Sequence, residues 1–316
     1  MMNRIGIIGA GAIGCSLGSA LYRTYGDRFC FVARGKRAEK LRKNGVTVNG
    51  VQLYPKVYSE PDEEGLDLIL LCVKNYSLKE TLGDIVPLVS EKTVILPLLN
   101  GVTAVEEVRK VFPHNVVPYG IVLRTDAERI GKNVTVTLHG EVQIGFARDE
   151  SVTTDLEEIR QLLLHAGINC NVYAAMRYML WRKWMVNIGA NQVSALTDAK
   201  FKYFGEIDEI IVLLRAAIQE ILEIAQKLDI GLTEQDREDI VQMLINYPPE
   251  KKTSMLQDIE AKRQTEIDYF AGTVVKMGEQ VGVPTPVNRV MYYALKAREK
   301  VGLAERERMG AGMSDY

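Results

Sequence analysis

The sequence predicts an α/β protein: an N-terminal domain built on a mostly parallel sheet, followed by an all-helical C-terminal domain. Three observations carry this reading. Over the first half, short apolar runs of strand length alternate with helical patterns, the texture of βαβ units. A G-x-G-x-x-G turn separates the first such run from the first helical pattern. From about residue 174 strand signals cease and long helical periodicities take over. A chain of 316 residues has room for two ordinary domains, taken here as 1–173 and 174–316.

Residues 5–8, 29–33, 66–73 and 93–98 are continuous apolar runs, as strands buried on both faces require. Between the first two, Ile13, Leu17, Ala20 and Leu21 recur at helical spacing. Val46-Thr47-Val48-Asn49-Gly50-Val51-Gln52-Leu53 reads as a hairpin, because Asn-Gly tolerates the positive φ of a two-residue turn. A second β-rich region spans 116–146, residues 155–165 form a helix, and strand character ends near Val172. The helical half contains candidates at 176–196, 206–228, 233–245, 254–280 and 287–301. The tail 302–316, with Gly310 and Gly312 and no apolar stripe, is expected to fray.

Composition narrows the function. Hydrophobic residues make up 47% and charged residues 25%, enough apolar material for sizeable cores. With 39 basic and 41 acidic residues spread along the chain, no dense basic face exists to serve nucleic acid or a membrane surface. No apolar run approaches the roughly 18 residues of a membrane span. Residues 1–6 run straight into a strand pattern, so no targeting segment is expected. Cys15, Cys30, Cys72 and Cys170 are far apart, and the first three fall in apolar patterns, as reduced core thiols of a cytoplasmic protein would. His114, His139 and His165 lack metal-ligand spacing, so no metal is expected.

Gly9-Ala10-Gly11-Ala12-Ile13-Gly14 follows a strand and opens a helix, the context in which this motif binds a dinucleotide. Gly9 permits the tight turn, Gly11 lets a pyrophosphate approach the backbone, and Gly14 lets the helix pack closely. The helix N-terminus offers its N–H groups to the phosphates. This is a Rossmann-type domain. Gly14-Cys15-Ser16-Leu17-Gly18 also spells a hydrolase elbow, but there the serine should follow the strand directly, whereas Ser16 falls inside the helix. At the end of the second strand an NAD site would carry an acid for the ribose hydroxyls. Here Ala33 leads into Arg34-Gly35-Lys36-Arg37, and a guanidinium suits the 2′-phosphate of NADPH/NADP.

Lys74 and Asn100 each follow the carboxyl end of a predicted strand, where ligands bind in open α/β sheets, though position alone reads equally well as two turn residues. The helix around Trp181 is apolar over most of its circumference and should be deeply buried. Lys183, Asn187 and Asn191 interrupt it at i, i+4 and i+8 as a polar stripe. Burying an ammonium without partners is costly, so the stripe must face polar groups, and a substrate cleft supplies them. Thr253 or Ser254 can cap a helix carrying Asp258, Lys262 and Glu266 at four-residue spacing, which by spacing alone is a salt-bridged solvated face.

Taken together these segments resemble the ketopantoate reductase (2-dehydropantoate 2-reductase) family. The resemblance rests on the glycine turn, Ala33-Arg34-Gly35, Cys72-Val73-Lys74, Leu99-Asn100-Gly101 and Trp181-Arg182-Lys183 with Asn187. It continues through Asn191-Gln192-Val193-Ser194-Ala195-Leu196, Thr253-Ser254-Met255-Leu256-Gln257-Asp258 and Thr265-Glu266-Ile267-Asp268. It implies NADPH-dependent reduction of 2-dehydropantoate to pantoate, on the route to pantothenate and coenzyme A, in a cleft between a Rossmann and a helical domain. It implies Lys183 as general acid, with Glu266 near that lysine, the substrate or the cofactor. It implies Asn100, Asn187, Asn191 and Ser254 as substrate-orienting groups, with Asn100 also at the cofactor. Lys74 would lie near the cofactor, which Gly9, Ala10, Gly11, Ala12, Ile13, Gly14 and Arg34 would hold. Similar sequences often carry Asn shortly before the Thr-Ser-Met segment, where this chain has Lys251-Lys252. The expected partner is a small 2-keto acid. A related reductase of another such acid, or a non-catalytic NADP-binding sensor, fits the same turn and arginine, and the apolar helical domain leaves room for a homodimer.

Overall fold

The computed structural model describes residues 2–62, 65–130, 133–148, 150 and 156–311. The chain forms two compact units, Met1–Leu180 and Trp181–Tyr316, each treated below by itself.

The first unit starts with β1 (Ile5–Ile8), α1 (Ala12–Tyr25), β2 (Phe29–Val32) and α2 (Gly35–Asn44). The hairpin β3 (Val46–Val48) and β4 (Val51–Leu53) follows, then β5 (Lys56–Tyr58), β6 (Leu68–Leu71), α3 (Leu78–Ile85), β7 (Val94–Pro97) and α4 (Ala104–Val111). Next come β8 (Tyr119–Leu123), β9 (Asp126–Ile130), β10 (Asn133–Leu138), β11 (Glu141–Gly145), α5 (Leu156–His165) and β12 (Asn169–Tyr173). Asp155, the expected start of α5, lies outside the described residues.

Among the described residues five strands form a wholly parallel sheet in the order β5-β2-β1-β6-β7. Every residue of β1, β2, β6 and β7 is buried, the outcome their unbroken apolar runs call for. Chain order reverses between β1 and β6, a topological switch point, and crevices outside the carboxyl ends of such strands take ligands. Helix α1 packs against β1 and β2 and also against β3, β9 and β10. Gly18 makes that packing close: a Cβ there would stand 3.1 Å from the rings of Phe29 and Phe31.

The Asn-Gly hairpin forms as expected, with Asn49 and Gly50 at φ 50° and 75°. The second β-rich region divides. β10 joins β3 in parallel and β9 antiparallel, whereas β11 pairs with β8 antiparallel and with β12 in parallel. Asn49 stitches the hairpin to β10, its Nδ2 donating to the Val136 carbonyl at 2.8 Å and its Oδ1 accepting from the Val136 N–H at 2.7 Å.

α6 (Met176–Asn187) crosses from the first unit into the second. From Trp181 onward no strand occurs among the described residues. A π-turn (Ile188–Gln192) interrupts the predicted 176–196 helix and leads into α7 (Val193–Thr197). Then come α8 (Asp208–Lys227), α9 (Glu234–Ile245), α10 (Ser254–Glu260), α11 (Ala271–Val281) and α12 (Pro286–Ala311). Thr233 opens α9 through a capping box with Asp236.

Two helical expectations need correcting. The single helix expected over 254–280 breaks after Glu260, because Lys262 adopts φ +50° and turns the chain before α11 begins. Asp258, Lys262 and Glu266 therefore share no helical face: Asp258 pairs with Arg263 at 2.9 Å and Lys262 with Glu305 at 2.7 Å. The frayed tail is the second. α12 runs on to Ala311, its polar extension a series of strong helix formers tied down by that Lys262–Glu305 pair, and residues 312–316 lie outside the described residues. No helix among the described residues is long and apolar enough to cross a membrane.

Candidate active site

In the first unit the expected cofactor residues gather at the carboxyl edge of the parallel sheet. Gly9 follows β1 at φ +101°, and a Cβ there would lie 2.6 Å from the Cys72 carbonyl oxygen. At Gly14 a Cβ would fall 1.8 Å from the Gly9 carbonyl oxygen and 3.3 Å from the Cys72 Cβ, so this position holds α1 tight against the turn and the end of β6. Gly11 differs: an added Cβ would meet nothing within 4 Å. Its lack of a side chain leaves open space in front of the turn. Gly11 is also the N-cap of α1, with no side-chain cap and no acid in the first turn, so no side chain competes for its leading N–H groups. Ala10, Ala12 and Ile13 line this half-exposed turn. Ser16 sits inside α1, buried, its Oγ 2.9 Å from Nδ1 of His139, which leaves no exposed nucleophile for a hydrolase elbow.

Arg34 follows β2, exposed, at the N-cap of α2, with Nη1 donating to the Asp84 carbonyl at 3.3 Å. Lys36 and Arg37 beside it are also exposed, and Arg37 pairs with Glu80 at 3.3 Å. No acid stands between residues 33 and 38. Lys74 and Asn100 leave the adjacent strands β6 and β7, and a residue not singled out in sequence links them: buried Asn75 donates from Nδ2 to the Asn100 carbonyl at 2.8 Å. Arg129 on β9 is another, its Nη1 bonding to the Ala10 carbonyl inside the glycine turn. Neither had a sequence signal, since each contact joins segments far apart in the chain.

In the second unit, α6 buries Trp181, Trp184 and Met185. Lys183 sits among them half-buried, and loss of hydration pushes its ammonium down from the usual 10.5 to about 8. The opposing influence is the carboxylate of Glu266, which favours the charged form. Glu266 is buried, at 4% exposure, at the entry to a short turn, Ile267–Tyr269, whose Tyr269 and Phe270 N–H groups donate to its carbonyl at 2.9 and 3.1 Å. The preceding Thr265 is anchored through its N–H and Oγ1, both donating to buried Glu299 at 2.6 Å. This frame, rather than a helical repeat, sets the position of Glu266.

The π-turn lies one step on from Lys183. Asn191 donates from Nδ2 to Oδ1 of Asn187 at 3.4 Å, and its own Oδ1 accepts from Ser254 Oγ at 3.0 Å and from the Met255 N–H at 3.2 Å. Thr253 caps α10, accepting from the Leu256 N–H, and donates from Oγ1 to Ser194 at 3.0 Å. Asn187, Asn191 and Ser254 thus form one connected array, and Lys183 and Glu266 are electrostatically coupled. The unusual lysines before this segment are engaged: Lys252 pairs with Glu260 at 2.6 Å, and the Lys251 carbonyl accepts from the Phe201 N–H at 3.2 Å.

Chemically, the first unit offers a glycine turn that opens an uncapped helix N-terminus, with exposed Arg34 after the next strand. The second offers a titratable cation on the helix that ends in Asn187, and Asn187 is linked through Asn191 to Ser254; such groups are able to orient a carboxylate and deliver one proton. Comparison with known proteins identifies the family. The family described as "Ketopantoate reductase PanE/ApbA" matches residues 5–149, and its C-terminal counterpart, "Ketopantoate reductase PanE/ApbA C terminal", matches residues 175–299. A 2-dehydropantoate 2-reductase from Archaeoglobus fulgidus is 28% identical over 303 residues, covering 94% of this chain and 98% of that protein. Among solved structures, a 2-dehydropantoate 2-reductase from Methylococcus capsulatus superposes with TM-score 0.81 at 25% identity, covering 95% of this chain and 97% of that one. A D-mandelate dehydrogenase in complex with NADH does so with TM-score 0.82 at 25% identity, covering 94% and 99%.

Proposed function

The chain belongs to the ketopantoate reductase family, and from that premise we propose that it reduces 2-dehydropantoate to pantoate with NADPH, in the route to pantothenate and coenzyme A. The cofactor is assigned to residues 1–173 and the proton donor to 174–316. The observation that carries the reading is Lys183: an ammonium brought to about 8 by burial, coupled to a buried carboxylate, and followed by Asn187 on its helix and Asn191 in the π-turn. A structural lysine would snorkel to water and keep its ordinary pKa. A proton donor working near neutrality needs a depressed one.

The glycine turn fits a dinucleotide, since the space opposite Gly11 is clear and no side chain caps α1. When bound, the nicotinamide supplies the hydride that converts the ketone to an alkoxide. Lys183 holds the balancing proton on Nζ and passes it to that alkoxide oxygen, while its charge stabilises the oxyanion as it develops. Glu266 keeps a negative charge beside Nζ and so preserves the protonated form between turnovers. Asn100, Asn187, Asn191 and Ser254 orient the keto oxygen, carboxylate and hydroxyl of the substrate. Gly9, Ala10, Gly11, Ala12, Ile13 and Gly14 hold the pyrophosphate, Arg34 the 2′-phosphate, and Lys74 the region near the ring.

The likeness to a D-mandelate dehydrogenase, at an identity no lower than that of the solved 2-dehydropantoate reductase, favours a second reading in which another small 2-keto acid is the substrate. One assay separates them: loss of NADPH absorbance on adding 2-dehydropantoate, with an aryl 2-keto acid and pyruvate in parallel. The proposal expects 2-dehydropantoate to be turned over with the highest kcat/KM. Preference for another acid selects the second reading, and tight NADPH binding with no turnover on any acid leaves a cofactor sensor.

A further inference from the structure

Gln192 closes the π-turn that follows Lys183, and nothing so far accounts for it. Its side chain is fully buried, yet its Oε1 has no hydrogen-bond partner. A buried acceptor left in that state works against folding, so the amide is retained for what its other end does. Nε2 donates to the Ile188 carbonyl, at the start of the π-turn, at 3.2 Å and to Oδ1 of Asn288 at 3.0 Å. Asn288, also fully buried, donates from Nδ2 to the Ala217 carbonyl at 2.9 Å and to Glu220 Oε2 at 2.7 Å. Glu220 in turn accepts from the N–H groups of Val287 and Asn288 at 2.7 and 3.0 Å, stapling the first turn of α12. A continuous buried chain of polar groups therefore runs from the start of α12, through α8, to the backbone of the π-turn.

That backbone carries the asparagine array. In an unbroken α-helix, residues i and i+8 drift apart by about 80° around the axis, which would rotate Asn191 away from the line through Lys183 and Asn187. A π-turn has more residues per turn and takes back part of that drift. Gly189 makes the turn sterically feasible, since a Cβ there would come within 2.8 Å of Ile218 Cγ2 on α8.

We propose that Gln192, backed by Asn288 and Glu220, is a positioning residue: its amide pins the π-turn and so holds Asn187 and Asn191 in register with Ser254, setting affinity for the keto acid and not the proton transfer. This rests on the function proposed above. The test uses two variants of the full chain, Gln192→Met, which keeps the volume without the donor, and Asn288→Ala, which removes the support behind it. Two readouts are taken: hydrogen exchange at the Met255 amide, which donates to Asn191, and steady-state kinetics with 2-dehydropantoate. In both variants Met255 should exchange at least about tenfold faster, the KM for the keto acid should rise about tenfold, and kcat, the KM for NADPH and the pH profile should hold. Unchanged Met255 exchange in both variants overturns the proposal, and so does wild-type KM accompanied only by a lower Tm. If the wild-type protein turns over no keto acid, the functional reading fails, and the exchange measurement still decides the role of Gln192.

Discussion

An ammonium held near 8 inside a tryptophan-lined helix is costly to the fold, and the sign of that cost can be measured. Because the folded-state pKa of Lys183 lies below the unfolded 10.5, the native state binds fewer protons between the two values. The stability deficit is therefore complete below about pH 8 and is recovered as pH rises from 8 towards 10.5. Lys183→Met should accordingly lose roughly 10²–10⁴-fold in kcat while its Tm at pH 7 rises, an opposition that kinetics and calorimetry on one preparation reveal. A fall in both would mark Lys183 as structural. Activity of the wild type should decline as pH climbs through about 8 if Lys183 is the proton donor proposed, since its ammonium is then being emptied. Glu266 supports the charged form, so Glu266→Gln should move that falling limb to lower pH, and a limb that stays put removes the coupling from the mechanism. The stripe of Lys183, Asn187 and Asn191 was legible because three polar residues at helical spacing break an otherwise apolar surface. The burial of Glu266 was not, since it follows from the grip of Glu299 on Thr265 across 34 residues of chain.

At the scale of elements, the strand–turn–helix unit around the glycine motif separates two roles that sequence alone merges. Gly11 faces open space and Gly14 faces backbone, so the same substitution should fail differently at each. Gly11→Ala should melt within about 2 °C of wild type but bind NADPH at least about tenfold more weakly, because its methyl occupies the phosphate approach. Gly14→Ala should lose on the order of 1–3 kcal/mol of stability without any ligand, as overpacking against an immovable carbonyl does. Thermal melts with and without cofactor distinguish these, and equal apo melting of the two variants would refute the division. Strands and the Asn-Gly hairpin were readable from local pattern, because apolar runs and φ-positive turns are local properties. The break at Lys262 was not, for a lysine at φ +50° carries no sequence mark and its ion pair with Glu305 is long-range. Nor was the parallel pairing of β3 with β10, which joins residues some 86 apart.

At the scale of the molecule, the order β5-β2-β1-β6-β7 brings the turns after β1, β2, β6 and β7 to one edge of one sheet, all within the first unit. A ligand held there should stabilise that unit by mass action, by about 2.7 kcal/mol at a hundredfold excess over Kd. Hydrogen exchange should then slow at the start of α1 and around Arg34, Lys74 and Asn100. NADPH and NADH differ by one phosphate, and Arg34 is the guanidinium placed where an acid would serve the ribose. NADPH should therefore protect these segments at lower concentration than NADH, and Arg34→Ala should erase most of that difference while leaving NADH binding nearly unchanged. Equal weakening of both cofactors would show that Arg34 supports the loop and not the phosphate, and the neighbouring Lys36 and Arg37 would then be the cations to test.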